Sequence, residues 1–309
     1  DVATLGHADP TAASANDDAP PHGELPPSIS ALHLRFGQAL EARGDLDEAM
    51  SHYANAGATA ELARALRQRA WPLLQSPRRE SVRRWLEQLP DDLRENDSEL
   101  LYMWGYSQIV NAPEQAVHII EQAADRYHTA GHYDRELRAL ADLTALLYLR
   151  GRPSSFVACC VRAVRAANQL RDAWSRGAAL VGTTAILYTK GRYVAALRVA
   201  RQAAGQPLSP AWHWILTMMV ASMNNQLGVP TDVLSAIDSA LRLPQVNHDD
   251  RLRQNLLRHR AFALELQGYS SEAATLALDS HRHLGDFYRD GSAGFSARQL
   301  ALLLLLIGR

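Results

Sequence analysis

The sequence predicts an all-α chain folded as a superhelical solenoid of antiparallel helix pairs. Two observations carry this. Glycine, once asparagine, recurs at Asn111, Gly151, Gly191, Gly228, Gly268 and Gly308, in steps of 40, 40, 37, 40 and 40 residues. Small or apolar residues then repeat at fixed offsets: Ala116, Phe156, Ala196, Val233 and Ala273 five residues after the landmark, and Ala123, Ala163, Ala203, Ala240 and Ser280 twelve after it. Seven residues before it stand Trp104, Thr144, Thr184, Ala221 and Ala261. A period near 40 residues is that of a supersecondary unit that completes its core only by stacking on its neighbours. Small residues on both sides of a glycine let two helices approach closely across a tight turn.

Taken in chain order, residues 1 to 27 are rich in Ala, Asp and Pro and lack the apolar content for a core, so they read as a linker. Gly37, Gly44, Ala49 and Ala56 repeat the offsets once near the start, and the next landmark lies 67 residues after Gly44. Residues 28 to 97 are therefore expected to be a helical segment holding one repeat and an irregular insert. Within it Val82, Trp85, Leu86 and Leu89 share one helical stripe, and Pro90 with Asp91 and Asp92 marks the end of that helix. Residues 98 to 309 form the array proper. Ala301 and Gly308 occupy the columns of a further unit that stops at Arg309, so a continuation is expected after it.

The columns of Gly191, Tyr193, Ala196 and Ala203 resemble the tetratricopeptide repeat, with a period longer than that family's usual 34 residues. The fold class is thus a tetratricopeptide-like solenoid. A second resemblance rests on the run Leu32-His33-Leu34-Arg35, on Glu41 to Ala49 with His52 and Ala54 to Gly57, and on Trp85-Leu86-Glu87-Gln88-Leu89-Pro90. These segments are similar to the helical region of MalT-like, LuxR-type large ATP-dependent (STAND) transcriptional regulators. That resemblance implies a sensor array responding to a small-molecule effector or a regulatory protein and controlling self-association. Its partners would include the ATPase and DNA-binding modules of the same full-length protein. The chain itself carries no G-x-x-x-x-G-K-[ST] phosphate loop. The alternative is a stand-alone scaffold or adaptor that binds peptides or proteins.

A formal net charge of -1 gives no global attraction to phosphate backbones, so direct nucleic-acid binding is not expected. Adjacent Cys159 and Cys160 diverge by about 100° on a helix and cannot pair with each other easily, which suits a reduced, cytoplasmic setting. The longest aliphatic run, Leu300 to Ile307, is too short to span a bilayer. No cofactor, metal or catalytic set is expected: His128 and His132 flank a turn at Gly131, and His281 and His283 are two apart.

Binding is expected on the face of the first helices. By resemblance, the position three before the landmark faces the groove, and it is occupied by Gln108, Tyr148, Tyr188, Asn225 and Glu265. One turn earlier the residues are small, from Gly105 through Ala145 and Ala185 to Ser222, before Phe262. Ten before the landmark Leu101, Ala141, Val181 and Met218 give way to Arg258, which would meet an anion. Amide and phenol groups beside small residues combine room with hydrogen-bonding capacity.

Overall fold

The structure, a computed structural model, describes residues 27–229, 231–243, 246 and 250–284. It is helical throughout, with fifteen α-helices and no strand among the described residues. They fall into two compact units, the first ending at Ala58 and the second beginning at Thr59.

The first unit is a hairpin of α1 (Pro27–Ala42) and α2 (Leu46–Ala56). Its turn closes where Gly44, at φ +88°, donates to the Glu41 carbonyl at 2.9 Å and Asp45 donates to the Leu40 carbonyl at 2.9 Å. A side chain with a Cβ would be strained at this left-handed residue. The helices touch where Gly37 lies against the Tyr53 ring, so closely that a Cβ would stand 2.7 Å from Tyr53 Cε1.

The second unit opens with the residues that break the repeat register: α3 (Thr59–Leu74), the short α4 (Arg79–Glu87) and α5 (Asp91–Asn96). Val82, Trp85, Leu86 and Leu89 are all buried, as their shared stripe predicts. The helix end differs from the sequence expectation. Helix α4 stops at Glu87, extended Pro90 is the N-cap of α5, and Asp91 and Asp92 form that helix's first turn, where acids suit the positive end of the helix dipole.

Five helix pairs follow: α6 (Ser98–Gln108) with α7 (Pro113–Thr129), α8 (Tyr133–Leu149) with α9 (Pro153–Ala167), α10 (Ala173–Thr189) with α11 (Tyr193–Ala204), α12 (Pro210–Gln226) with α13 (Thr231–Ala240), and α14 (Asp250–Leu266) with α15 (Ser270–Leu284). Starts are set locally. Asp97 accepts from the Glu99 and Leu100 amides, Asp172 from the Ser175 amide and Ser209 from the Trp212 amide, while α7, α9 and α12 begin with proline. Each repeat column lands in the core: Ala116, Ala196 and Ala273 five after the landmark, and Ala123, Ala163, Ala203 and Ala240 twelve after it, are wholly buried. At Gly105, six before its landmark, the small residue admits a helix contact rather than a ligand, since a Cβ there would meet Ile120 Cγ1 of α7 at 2.8 Å. Ala301, Gly308 and the run Leu300 to Ile307 lie outside the described residues.

The stacking is not uniform. Helix α11 is three residues shorter than α9, and the connection Gly205 to Ser209 folds back onto α10, bringing the Pro207 carbonyl so close that a Cβ on Gly177 would sit 2.9 Å from it. Helix α12 consequently packs against α8 as well as α10, and Trp214 meets Tyr148 edge-on with ring centres 6.0 Å apart.

Candidate functional site

The six residues expected to form the groove are placed in two kinds of setting. Two of them bond to the next unit, and a third stacks within its own pair and on α12. Tyr148 packs on Phe156 and Trp214, at 5.6 and 6.0 Å between ring centres. Tyr188 shares a hydrogen bond of 3.0 Å with Ser222 of the next unit, and Asn225 donates from Nδ2 to the His259 carbonyl at 3.3 Å. Glu265 accepts locally from Ser270 at 3.2 Å, and Arg258 donates to Asn255 on its own helix. Gln108 is buried, with its Nε2 lacking an acceptor among the described residues. The turn explains this placement. Gly151, Gly191, Gly228 and Gly268 donate their amides to the carbonyls of Tyr148, Tyr188, Asn225 and Glu265, which fixes that column at the C-terminal ends of the first helices, against the following unit.

The large cavity of the second unit lies elsewhere on the same helices and is lined by none of the six. It is a half-open cleft of about 1040 Å³, with walls from α3, α6, α8 and the first turns of α10 and α12. One end is aromatic and charged. Trp71 and Tyr102 lie 4.6 Å apart between ring centres, Trp71 and Tyr106 5.5 Å apart edge-on, and Tyr127 stands perpendicular to Tyr102 at 6.4 Å. Glu99 anchors this wall by accepting from Trp71 Nε1 at 2.5 Å and Tyr127 Oη at 2.8 Å, with Arg135 at 3.5 Å. Arg67 pairs with Asp97 at 2.6 Å. Tyr102 Oη donates to Asp142 Oδ2 at 2.5 Å. The other end is apolar, with Leu146, Leu149, Trp174, Trp214, Leu243 and Leu252.

Asp142 is electrostatically strained. Burial pushes its carboxyl from the ordinary 3.8 up to about 6, against the opposing pull of the Tyr102 hydrogen bond and the Arg79 charge. In that window the folded chain keeps a proton that the unfolded chain has lost, so this group's contribution to stability is full below pH 3.8 and is lost as pH rises through about 6. Asp142→Asn should therefore stabilise the protein at pH 7, by at most about 3 kcal/mol and by less where water at the cavity screens the charge. The gain should vanish near pH 4. Chemical denaturation at both values checks it, and an equal change at both would place the effect in packing rather than ionisation.

The signal for this site was present in the repeat. Tyr102 and Asp142 are one 40-residue period apart, both nine before their landmarks, a column beside the one considered from sequence. Trp71 belongs to no repeat, so no periodicity could bring it there.

Among solved structures the chain is similar to a tetratricopeptide repeat protein from Parabacteroides merdae ATCC 43184, with a TM-score of 0.53 at 13% identity, over 91% of this chain and 100% of that one. The fold is tetratricopeptide-like. A TPR domain of P58(IPK) is also similar, with a TM-score of 0.33 at 16% identity, over 91% of this chain and 79% of that one. No family model matches the chain, and no curated protein matches it.

Cys159 and Cys160 are free and buried, and burial pushes the Cys159 thiol up to about 12, far from the reactive thiolate a redox sensor needs. His128 and His132 flank Gly131, whose φ of +72° makes the expected turn, and His128 is bound to Glu136 at 2.9 Å. Among the described residues no group of His, Cys, Asp or Glu is arranged to hold a metal. No helix among them is long and apolar enough to cross a membrane. The side chains of His281 and His283 lie outside the described residues.

Proposed function

We propose that the array is a binding module and that its ligand occupies the cavity between α3, α6, α8 and α12. The observation that supports it is the cavity itself: about 1040 Å³, aromatic and charged at one end and apolar at the other. That is large enough for a small effector, and the combination of apolar wall with few polar groups is the usual character of ligand sites. In this reading the column of Gln108, Tyr148, Tyr188, Asn225 and Glu265 sets the stacking of units on which the cavity depends, and Arg258 lies away from the cavity. Binding is the activity we assign to it.

The Trp85-Leu86-x-x-Leu89-Pro90 segment and the helical run before it support placing this module in a regulator of the MalT-like, LuxR type, cooperating in the cytoplasm with ATPase and DNA-binding modules and controlling self-association. The length of the cavity wall, which draws on residues from Arg67 to Leu252, supports the other reading, a scaffold whose cavity takes a segment of a protein partner.

A thermal-shift screen with metabolites and peptides tests the cavity. A ligand at 100 times its Kd should add about 2.7 kcal/mol to apparent stability. Ala145→Phe grows a ring from the cavity wall and should abolish that shift. A ligand that still stabilises a folded Ala145→Phe protein to the same degree would move the binding site away from the cavity.

A further inference from the structure

The charged groups of the cavity are not equally satisfied. Asp97 has Arg67 and two backbone amides, and Glu99 has Trp71, Tyr127 and Arg135. Asp142 receives the Tyr102 hydroxyl and forms no ion pair with any described residue, although the Arg79 charge reaches it weakly. A carboxylate removed from bulk water with one neutral donor is a costly arrangement that a cation would relieve. One turn earlier on the same helix, Arg138 lines the cavity with its side chain exposed and without a partner among the described residues. One turn later come Ala145 and Leu146, and then Leu149. Along this face of α8 the order is therefore cation, anion, small, apolar, at about 5.4 Å per turn.

Two further features fit the same occupant. The rings of Trp71, Tyr102 and Tyr106 crowd the wall beside Asp142, and the guanidinium of Arg79 already rests over Tyr106 at 5.4 Å, so this wall accepts positive charge. At the far end Trp214 is 1% exposed, with an indole N–H that has no acceptor among the described residues. Trp214 still lines the cavity, so its ring offers an apolar face to an occupant at that end.

We infer that the cavity takes a small amphipathic zwitterion, its ammonium beside Asp142 and Tyr102, its anionic group on Arg138, and its apolar body against Leu149, Trp174 and Trp214. This deepens the binding reading above and rests on it. The exposed Asp134, one turn before Arg138, opposes a simple organic acid, and Arg138 opposes a simple dication. A molecule with both charges meets neither objection.

Three matched probes separate the charges: phenylalanine, phenethylamine, which lacks its carboxylate, and 3-phenylpropanoate, which lacks its ammonium. Binding is followed by calorimetry and by the Trp214 indole resonance, which any occupant of the cavity should move. The expected order is phenylalanine, then phenethylamine, then 3-phenylpropanoate. Asp142→Asn should weaken the first two about tenfold or more and leave the acid unchanged, since a hydrogen bond between charged groups is worth roughly that ratio. Arg138→Gln should weaken phenylalanine and the acid and spare the amine. An acid that moves Trp214 as strongly as the amine overturns the zwitterion and keeps the cavity. Indifference of the amine to Asp142→Asn overturns it as well. Failure of all three probes at millimolar concentration also overturns it, and the cavity then stands or falls on the Ala145→Phe screen.

Discussion

Arg162→Ala should cost about 3 to 5 kcal/mol, the range expected when one partner of a buried ion pair is removed. The Glu136 side chain is fully buried, 0% exposed, and receives Arg162 Nε at 2.7 Å and His128 Nδ1 at 2.9 Å. Arg162 reaches from α9, Glu136 starts α8, and the same guanidinium holds Asp125 of α7 at 2.5 Å, so one side chain joins three successive helices across two units. Asp125 is mostly exposed and adds little by itself. Removing Arg162 leaves the buried Glu136 carboxylate with His128 alone, and the array should loosen between α8 and α9. Urea denaturation measures the cost. The double variant Arg162→Met with Glu136→Gln should recover a large part of it, because the uncompensated charge is gone. A loss under 1 kcal/mol in Arg162→Ala would show that water enters freely and that the pair is not a lock.

Trp212→Ala should be comparably severe, about 3 to 5 kcal/mol, through the cavity it leaves. Trp212 is 0% exposed and belongs to the continuous core where α12 meets its neighbours. Its indole N–H has no acceptor among the described residues, so the ring is held by packing rather than by a hydrogen bond. Trp212→Phe keeps much of the volume and deletes the unsatisfied donor, so it should cost well under half as much as alanine. Equal losses in the two variants would mean that the N–H has a partner in solution, a buried water included.

The fold was legible because its determinants are periodic and local. Landmark glycines from Gly151 to Gly268 mark turns, and the alanine columns mark where helices touch, since only small side chains permit that approach. The register break after Gly57 was visible too, but what fills it was not, because α3 to α5 follow no repeat. A polar column suggested Tyr148, Tyr188 and Asn225, and sequence does not reveal whether such a column faces a groove or the next unit. The pairing of Tyr102 with Asp142 needed only the period, whereas Trp71 and Trp214 reach the cavity through tertiary packing that no single repeat encodes.

The fold-back of the Gly205 to Ser209 connection onto α10, with α12 seated against α8, has a mechanical consequence. In a solenoid of identical steps, a change in pitch is spread evenly and no one place feels it strongly. Here α8 and α12, the first helices of pairs with one pair between them, share walls of the same chamber, so a small rotation at one joint would change the chamber's width. A ligand of the proposed kind would stiffen that joint, and bending the array would change the space left for it. On the proposed reading, the length of this five-residue connection would tune how strongly occupancy and curvature are linked, with no alteration of any residue lining the chamber.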